Sequence, residues 1–205
     1  MLRTTQVLTA AAILMLSAAR LGAQDFLERI TAYAGAGYTT PVGSPSDRVS
    51  GGYNFVAGAG PRFHPRIAVV LDFSLLDGLD IDIPRPNPQA PPIGDVRIWS
   101  LTVNPVFNFV KEEKVTAYAT GGYGVYTRRF QPTTSGPFAL PADCDEWIDI
   151  CTPLSDDESV TKGGFNAGGG VAIGSREKFF GEVRYHRMVI AEATQVVAFT
   201  FGIRW

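Results

Sequence analysis

Five charged side chains, Arg62, Asp72, Glu182, Arg184 and Arg204, interrupt stretches otherwise built of Val, Phe, Tyr, Thr, Ala and Gly. A charge carried into an apolar setting has to be paired and hydrogen-bonded there, because an unpaired one is strongly destabilising. The five could therefore form an ion-pair network that fills an interior, or line a narrow polar path whose gate is an exchange of ion-pair partners. A hairpin turning about Ala193 would set Glu182 opposite Arg204 for cross-strand pairing. Hydrolytic chemistry would need a nucleophile, a base and an orienting carboxylate within hydrogen-bond reach. The two histidines do not fit that role: His186 shares the parity of the inward charges and has no neighbouring Ser, and His64 sits in a turn-forming HPR sequence. No catalytic residue is assigned, and no cofactor is implied.

Cys144 and Cys151 are the only cysteines, and they lie in a polar, acidic segment. In an exported chain such a pair is expected to form a disulfide, and so short a loop removes roughly 2.5 kcal/mol of unfolded-state entropy in the chain-entropy view. A metal is not expected, since the nearest histidine in sequence is His186 and a lone cysteine pair fits no usual zinc spacing.

Export is indicated by the first residues, MLRTTQVLTAAAILMLSAARLGAQ, with an early Arg3, an apolar stretch from Val7 to Leu16 and small residues up to Ala23. This is the pattern of a secretory signal peptide over 1–24, cleaved near Ala23 or Gln24. Its apolar core falls well short of the ~20 residues that a membrane-spanning helix requires. Cleavage leaves 181 residues, 25–205, and the loss of Arg3 and Arg20 takes the formal charge from −2 to −4. A mildly acidic chain with scattered lysines and arginines carries no basic stripe for nucleic acid. The length fits one domain, and no later segment approaches ~18 consecutive apolar residues, so any membrane residence must be by strands.

The elements that must position the charges are strands. The mature chain has no capped helical period but repeated alternating stretches, placed at 29–39, 51–63, 66–76, 96–110, 114–129, 161–174, 178–190 and 195–205. An even number lets an up-and-down sheet close with both chain ends on one side. The connections HPR, KEEK and SREK are tight and charged, whereas 40–50, 77–95 and 130–160 are long and rich in Pro, Asp and Ser; AEAT at 191–194 is the short exception on the long side. Segregated loop lengths match an eight-stranded antiparallel transmembrane β-barrel with short periplasmic turns and longer extracellular loops.

Face assignments support the same architecture. In FFGEVRYHRMVI, one parity carries Phe179, Val183 and Tyr185 and the other Glu182, Arg184 and His186. The charged parity must face inward, because an Arg near the midplane of the lipid face costs about 2–4 kcal/mol. Asp72 and Ser74 likewise turn in while Leu71 and Phe73 turn out, and Asn104 and Asn108 turn in while Val103, Phe107 and Phe109 turn out. ITAYAGAGY and VTAYATGGYGVY carry Tyr on both parities, which leaves their faces open. The 22 glycines fit a narrow interior, where they leave room for Arg, Glu and Tyr from neighbouring strands. A soluble lipocalin-like barrel or sandwich is the alternative; paired aromatics near strand ends, such as Trp99 with Phe109, favour two interfacial girdles instead.

AYAGAGY in the first strand, VTAYATGGYGVY in the fifth, FFGEVRYH in the seventh and FTFGIRW at the end resemble the opacity-type small outer-membrane β-barrel family, relatives of the OmpA/OmpX-type barrels. The resemblance spans the mature chain and implies residence in the cell outer membrane, contact with outer-membrane lipid and lipopolysaccharide, and a structural or surface role, envelope-stabilising or adhesive. It also implies that Val197, Phe199, Phe201, Ile203 and Trp205 form the terminal signal read by the barrel-assembly machinery; Phe is the usual last residue there, and Trp205 stands in its place. The acidic segment 130–160 then becomes an extracellular loop. Its Trp147 and Ile148 offer a contact patch for an extracellular partner, and its carboxylates a weak divalent-cation site, against the plainer reading of a solvated surface. A narrow passage for small or apolar solutes and a lipid A-modifying enzyme are the competing functions, and a monomer is the expected state.

Overall fold

The computed structural model describes residues 29–43, 49–81, 94–132, 158–175, 178–189 and 194–205. They form eight strands: β1 (Ile30–Pro41), β2 (Gly52–His64), β3 (Ile67–Ile81), β4 (Gly94–Lys111), β5 (Val115–Pro132), β6 (Glu158–Ile173), β7 (Lys178–Met188) and β8 (Gln195–Arg204). Each pairs antiparallel with its sequence neighbour, and β1 pairs with β8 from Tyr33↔Arg204 to Pro41↔Val196, closing the barrel. Closure leaves no strand edge, and in hydrocarbon that is a requirement because an unpaired backbone amide has no water to bond.

The strand set matches the alternation read from the sequence, with one systematic difference. β3, β4, β5 and β6 each run two to five residues further toward the long connections, to Ile81, from Gly94, to Pro132 and from Glu158. The added residues include Asp77, Gly78, Asp80, Gly94, Asp95, Gln131, Pro132 and Glu158, which read as loop composition, along with the apolar Leu79 and Phe130. Above the membrane surface, however, a hairpin faces water on its outer side and tolerates them.

Alternation settles the ambiguous faces. Thr31 and Tyr33 of β1 and Thr116, Tyr118 and Tyr126 of β5 are buried in the lumen, whereas Tyr38 and Tyr123 are exposed on the outer wall. The outer wall carries Phe55, Phe73, Leu101, Val103, Phe107, Val183, Phe199 and Phe201, all at least 40 % exposed. That apolar band is what a bilayer covers. The alternation is interrupted by three register shifts, at Arg62/His64, Leu76/Leu79 and Asn108/Val110. At the second, Gly78 adopts φ 71°, a conformation glycine reaches without a Cβ penalty. Beside the bulge, Asp77 keeps the outward parity opposite Tyr53, and Tyr53 and Arg97 bond it at 3.0 and 2.8 Å.

Inside, glycines stand where tyrosine rings lie flat. Gly58 is directly opposite Tyr33 and Gly170 directly opposite Tyr118. A Cβ at Gly58 would come within 2.7 Å of the Tyr33 ring, and one at Gly170 within 2.8 Å of the Tyr118 hydroxyl. Gly170→Val is expected to lower stability by about 1–3 kcal/mol, as overpacking does. A urea titration in detergent micelles checks this, with Gly181→Ala, whose Cβ would meet only the Phe201 ring at 3.3 Å, as the mild comparison.

Candidate functional site in the barrel lumen

The lumen is layered. Its middle is built on β3 and β7, whose alternation aims Asp72, Glu182 and Arg184 inward, with 0, 6 and 3 % of their surface exposed. The Arg184 fork spans both carboxylates: Nη1 lies 2.8 Å from Asp72 Oδ2 and Nη2 lies 2.7 Å from Glu182 Oε1. Tyr33 donates its hydroxyl to Asp72 Oδ2 and accepts from Arg184 Nη2, while Tyr118 donates to Glu182 Oε2 at 3.0 Å. Arg204 stacks over the Tyr118 ring at 4.5 Å and donates from Nε to Thr31. Two carboxylates and two guanidiniums are thus linked through two tyrosines into one neutral assembly, the arrangement that buried charge requires.

Of the five charges singled out in the sequence, the structure joins Asp72, Glu182 and Arg184 directly and Arg204 through Tyr118. Arg62 stands apart, half-buried at the rim of short turns. The expected Glu182 to Arg204 pairing does not form, because Glu182 faces Thr200 and Arg204 faces Lys178. The register from Lys178↔Arg204 to Arg187↔Gln195 slides β8 by four residues relative to that expectation and preserves its inward parity. Glu182 finds its cation on its own strand instead, two residues along at Arg184, where a strand places side chains on one face. The E-x-R spacing was the signal available in the sequence. Tyr33, Tyr118 and the buried Arg128, which donates to Thr194 at 3.0 Å near the long-loop mouth, are lumen residues the sequence reading missed.

Toward the long connections follows a neutral hydrogen-bonded belt. Asn54 bonds Thr39 and accepts from Thr200; Ser74 meets Ser100 at 2.7 Å; Asn166 and Asn104 both donate to Thr102. His186 Nδ1 lies 3.2 Å from the Tyr126 hydroxyl. A cavity of about 10 Å³ opens between Asn54, Ser74, Glu182, Arg184, His186 and Thr200, room for about one water. Ser, His and Glu all reach this cavity, yet each is bonded elsewhere, Ser74 to Ser100, His186 to Tyr126 and Glu182 to Arg184 and Tyr118. No nucleophile-to-base bond joins them among the described residues.

Nearest the long-loop mouth the filling changes character. Leu76, Leu79, Val96, Ile98, Phe130, Met188 and Val196 pack together with at most 2 % exposure, and Val49 folds in from the β1–β2 connection to join them. An interior of charges, Ser, Asn and glycines was expected; the third nearest the long-loop mouth is mostly apolar, with Arg128 buried beside it. A lumen sealed from water gains from burying apolar surface as any core does, and inward parity on β3, β4, β5, β7 and β8 supplies it.

Among the terminal residues, Phe199, Phe201 and Trp205 are exposed on the outer face and Val197 and Ile203 half-buried there, alternating with inward Ala198, Thr200 and Arg204. Cys144, Cys151, Trp147 and Ile148 lie outside the described residues, as does the signal sequence 1–24.

This architecture can be set beside known proteins. The family described as outer membrane protein beta-barrel domain matches residues 8–205. No curated relative matches the chain. Among solved structures, Neisserial surface protein A is 14 % identical with a TM-score of 0.57, covering 85 % of this chain and 95 % of its own. The outer membrane protein OprG from Pseudomonas aeruginosa is 12 % identical with a TM-score of 0.50, covering 86 % and 95 %. At such identities the likeness shows the shared fold, a small eight-stranded membrane barrel, in keeping with the resemblance carried by the strand motifs. With the family match running through every strand and the closed, lipid-faced wall on the page, the chain belongs to the outer membrane protein beta-barrel domain family and resides in the cell outer membrane.

Proposed function

We propose that this protein is a closed barrel with a structural or surface role in the envelope, stabilising or adhesive, and that no solute passes through it. One observation carries the reading: between the two mouths the lumen is filled in succession by the Asp72, Arg184 and Glu182 assembly, the amide and hydroxyl belt, and the aliphatic cluster. A passage would need both the ion pairs and the aliphatic packing to open. Recording single channels of the refolded protein in a planar bilayer is expected to show no steady open state. Stable conductance, or uptake of a small apolar solute that depends on the protein, would replace this reading with that of a narrow passage.

No catalytic step is assigned to the barrel, since His186 is turned away from lipid and bonded to Tyr126. Loss of a lipid A acyl chain on expression, abolished by His186→Ala, would overturn that. On the outside we assign contact with lipid and lipopolysaccharide to the apolar wall, and recognition by the barrel-assembly machinery to Val197, Phe199, Phe201, Ile203 and Trp205. A surface role places an extracellular partner at the loop 130–160, through Trp147 and Ile148, with Cys144 and Cys151 pinning it as a disulfide.

A further inference from the structure

The mouth at the short-turn rim differs from the rest of the lumen in gathering four cations among its described residues. Arg62 of β2, Lys111 of β4, Lys178 of β7 and Arg204 of β8 converge there. Lys178 and Arg204 are directly opposite in the β7–β8 register, a placement in which like charges destabilise a sheet. Lys111 reaches this face because the Asn108/Val110 bulge shifts its parity, setting it opposite the inward Thr116. Lys178 Nζ reaches over β6 to the same Thr116 hydroxyl at 2.6 Å, and Arg204 bonds Thr31, which donates to the Trp205 carbonyl oxygen. Lys111 and Lys178 both feel the positive charges of Arg62 and Arg204.

No carboxylate among the described residues pairs with any of the four. The three ion pairs found there are Arg97 with Asp77 and Arg184 with Asp72 and Glu182. Glu182, one layer deeper, is committed to Arg184 and Tyr118, and Glu112 and Glu113 lie exposed in the β4–β5 turn. The repulsion is thus built into the fold, and it is partly offset at Arg204 by the Tyr118 ring and the deeper Glu182.

We infer that this mouth is a binding site for a phosphate-bearing anion approaching from the periplasm. The donors come from four strands around the opening, so a tetrahedral anion, with oxygens in several directions, can meet more of them than a planar carboxylate. Two guanidiniums supply fork geometry, two ammoniums supply point charges, and Thr116, which accepts from Lys178, keeps its own hydroxyl to donate. The same chemistry is offered by a free phosphate and by the headgroup of an inner-leaflet phospholipid.

Pyrophosphate is the probe, titrated by calorimetry and phosphorus NMR against the refolded full barrel at low salt in phosphatidylcholine nanodiscs. Saturable binding is expected, weakened about tenfold in the Lys111→Gln/Lys178→Gln double variant. Lys114→Gln, which removes an exposed charge of the adjoining turn, is expected to leave it unchanged. Lys111→Arg/Lys178→Arg keeps the charges and is expected to restore affinity, which decides the matter should the glutamine pair fold poorly. Competition by phosphatidylglycerol nanodiscs assigns the site to a lipid headgroup, and its absence to a free phosphate. No binding to the wild type, or equal weakening by Lys114→Gln, overturns the site.

Discussion

Arg184→Met is expected to destabilise the folded barrel by about 3–5 kcal/mol, the usual cost of removing one partner from a buried ion pair. The effect is large because Arg184 serves two carboxylates at once, at 2.8 and 2.7 Å, and both are sealed from water. Removing it leaves Asp72 and Glu182 facing one another's charge with only the Tyr33 and Tyr118 hydroxyls as donors. A urea titration followed by tryptophan fluorescence, or loss of heat-modifiable migration on a gel, measures this. The triple variant Asp72→Asn/Glu182→Gln/Arg184→Met should recover most of the loss, because amide oxygens still accept from both tyrosines and no carboxylate is left buried without its cation. If the triple variant is as unstable as the single one, the network acts through shape rather than charge.

Val103→Arg is expected to cost about 2–4 kcal/mol when the protein is refolded into bilayers, the range for an Arg at the midplane of a barrel's lipid face. Val103 lies on β4 between the aromatic ends Trp99 and Phe109 and is 53 % exposed on the outer wall. An outward Arg placed at position 187, where the chain already carries one, shows that the same side chain is tolerated nearer the rim. The comparison of refolding yields and unfolding midpoints in lipid vesicles therefore reads depth as well as face. An equal effect for Val103→Gln and Val103→Arg would mean that shape, not charge in hydrocarbon, dominates there.

The two substitutions probe opposite sides of one wall, and the sides were separable in the sequence for a physical reason. Putting Arg184 or Glu182 outward would place charge in lipid, so parity in β7 had one acceptable answer. Where no charge or bulk asymmetry marks a face, alternation is silent: ITAYAGAGY and VTAYATGGYGVY put Tyr on both parities, and only pairing with β2 and β6 turned Tyr33 and Tyr118 onto Gly58 and Gly170. The partner of Glu182 was misread for a related reason. Hairpin register depends on where the turn falls, and the AEAT region carries no glycine to mark it.

The amino-acid sequence by itself determined that this chain is a strand-built membrane barrel, with which side of most strands meets lipid, because hydrophobic alternation and the cost of buried charge act locally along each strand. Tertiary structure alone decided who meets whom inside. Register, the three bulges and ring closure bring Arg184 onto Asp72, turn Lys111 inward beside Thr116 and stack the aliphatic cluster over the polar belt. Arg184 and Asp72 are far apart in the chain and only closing the ring sets the distance between them, while Lys111 depends on a bulge that local alternation does not mark.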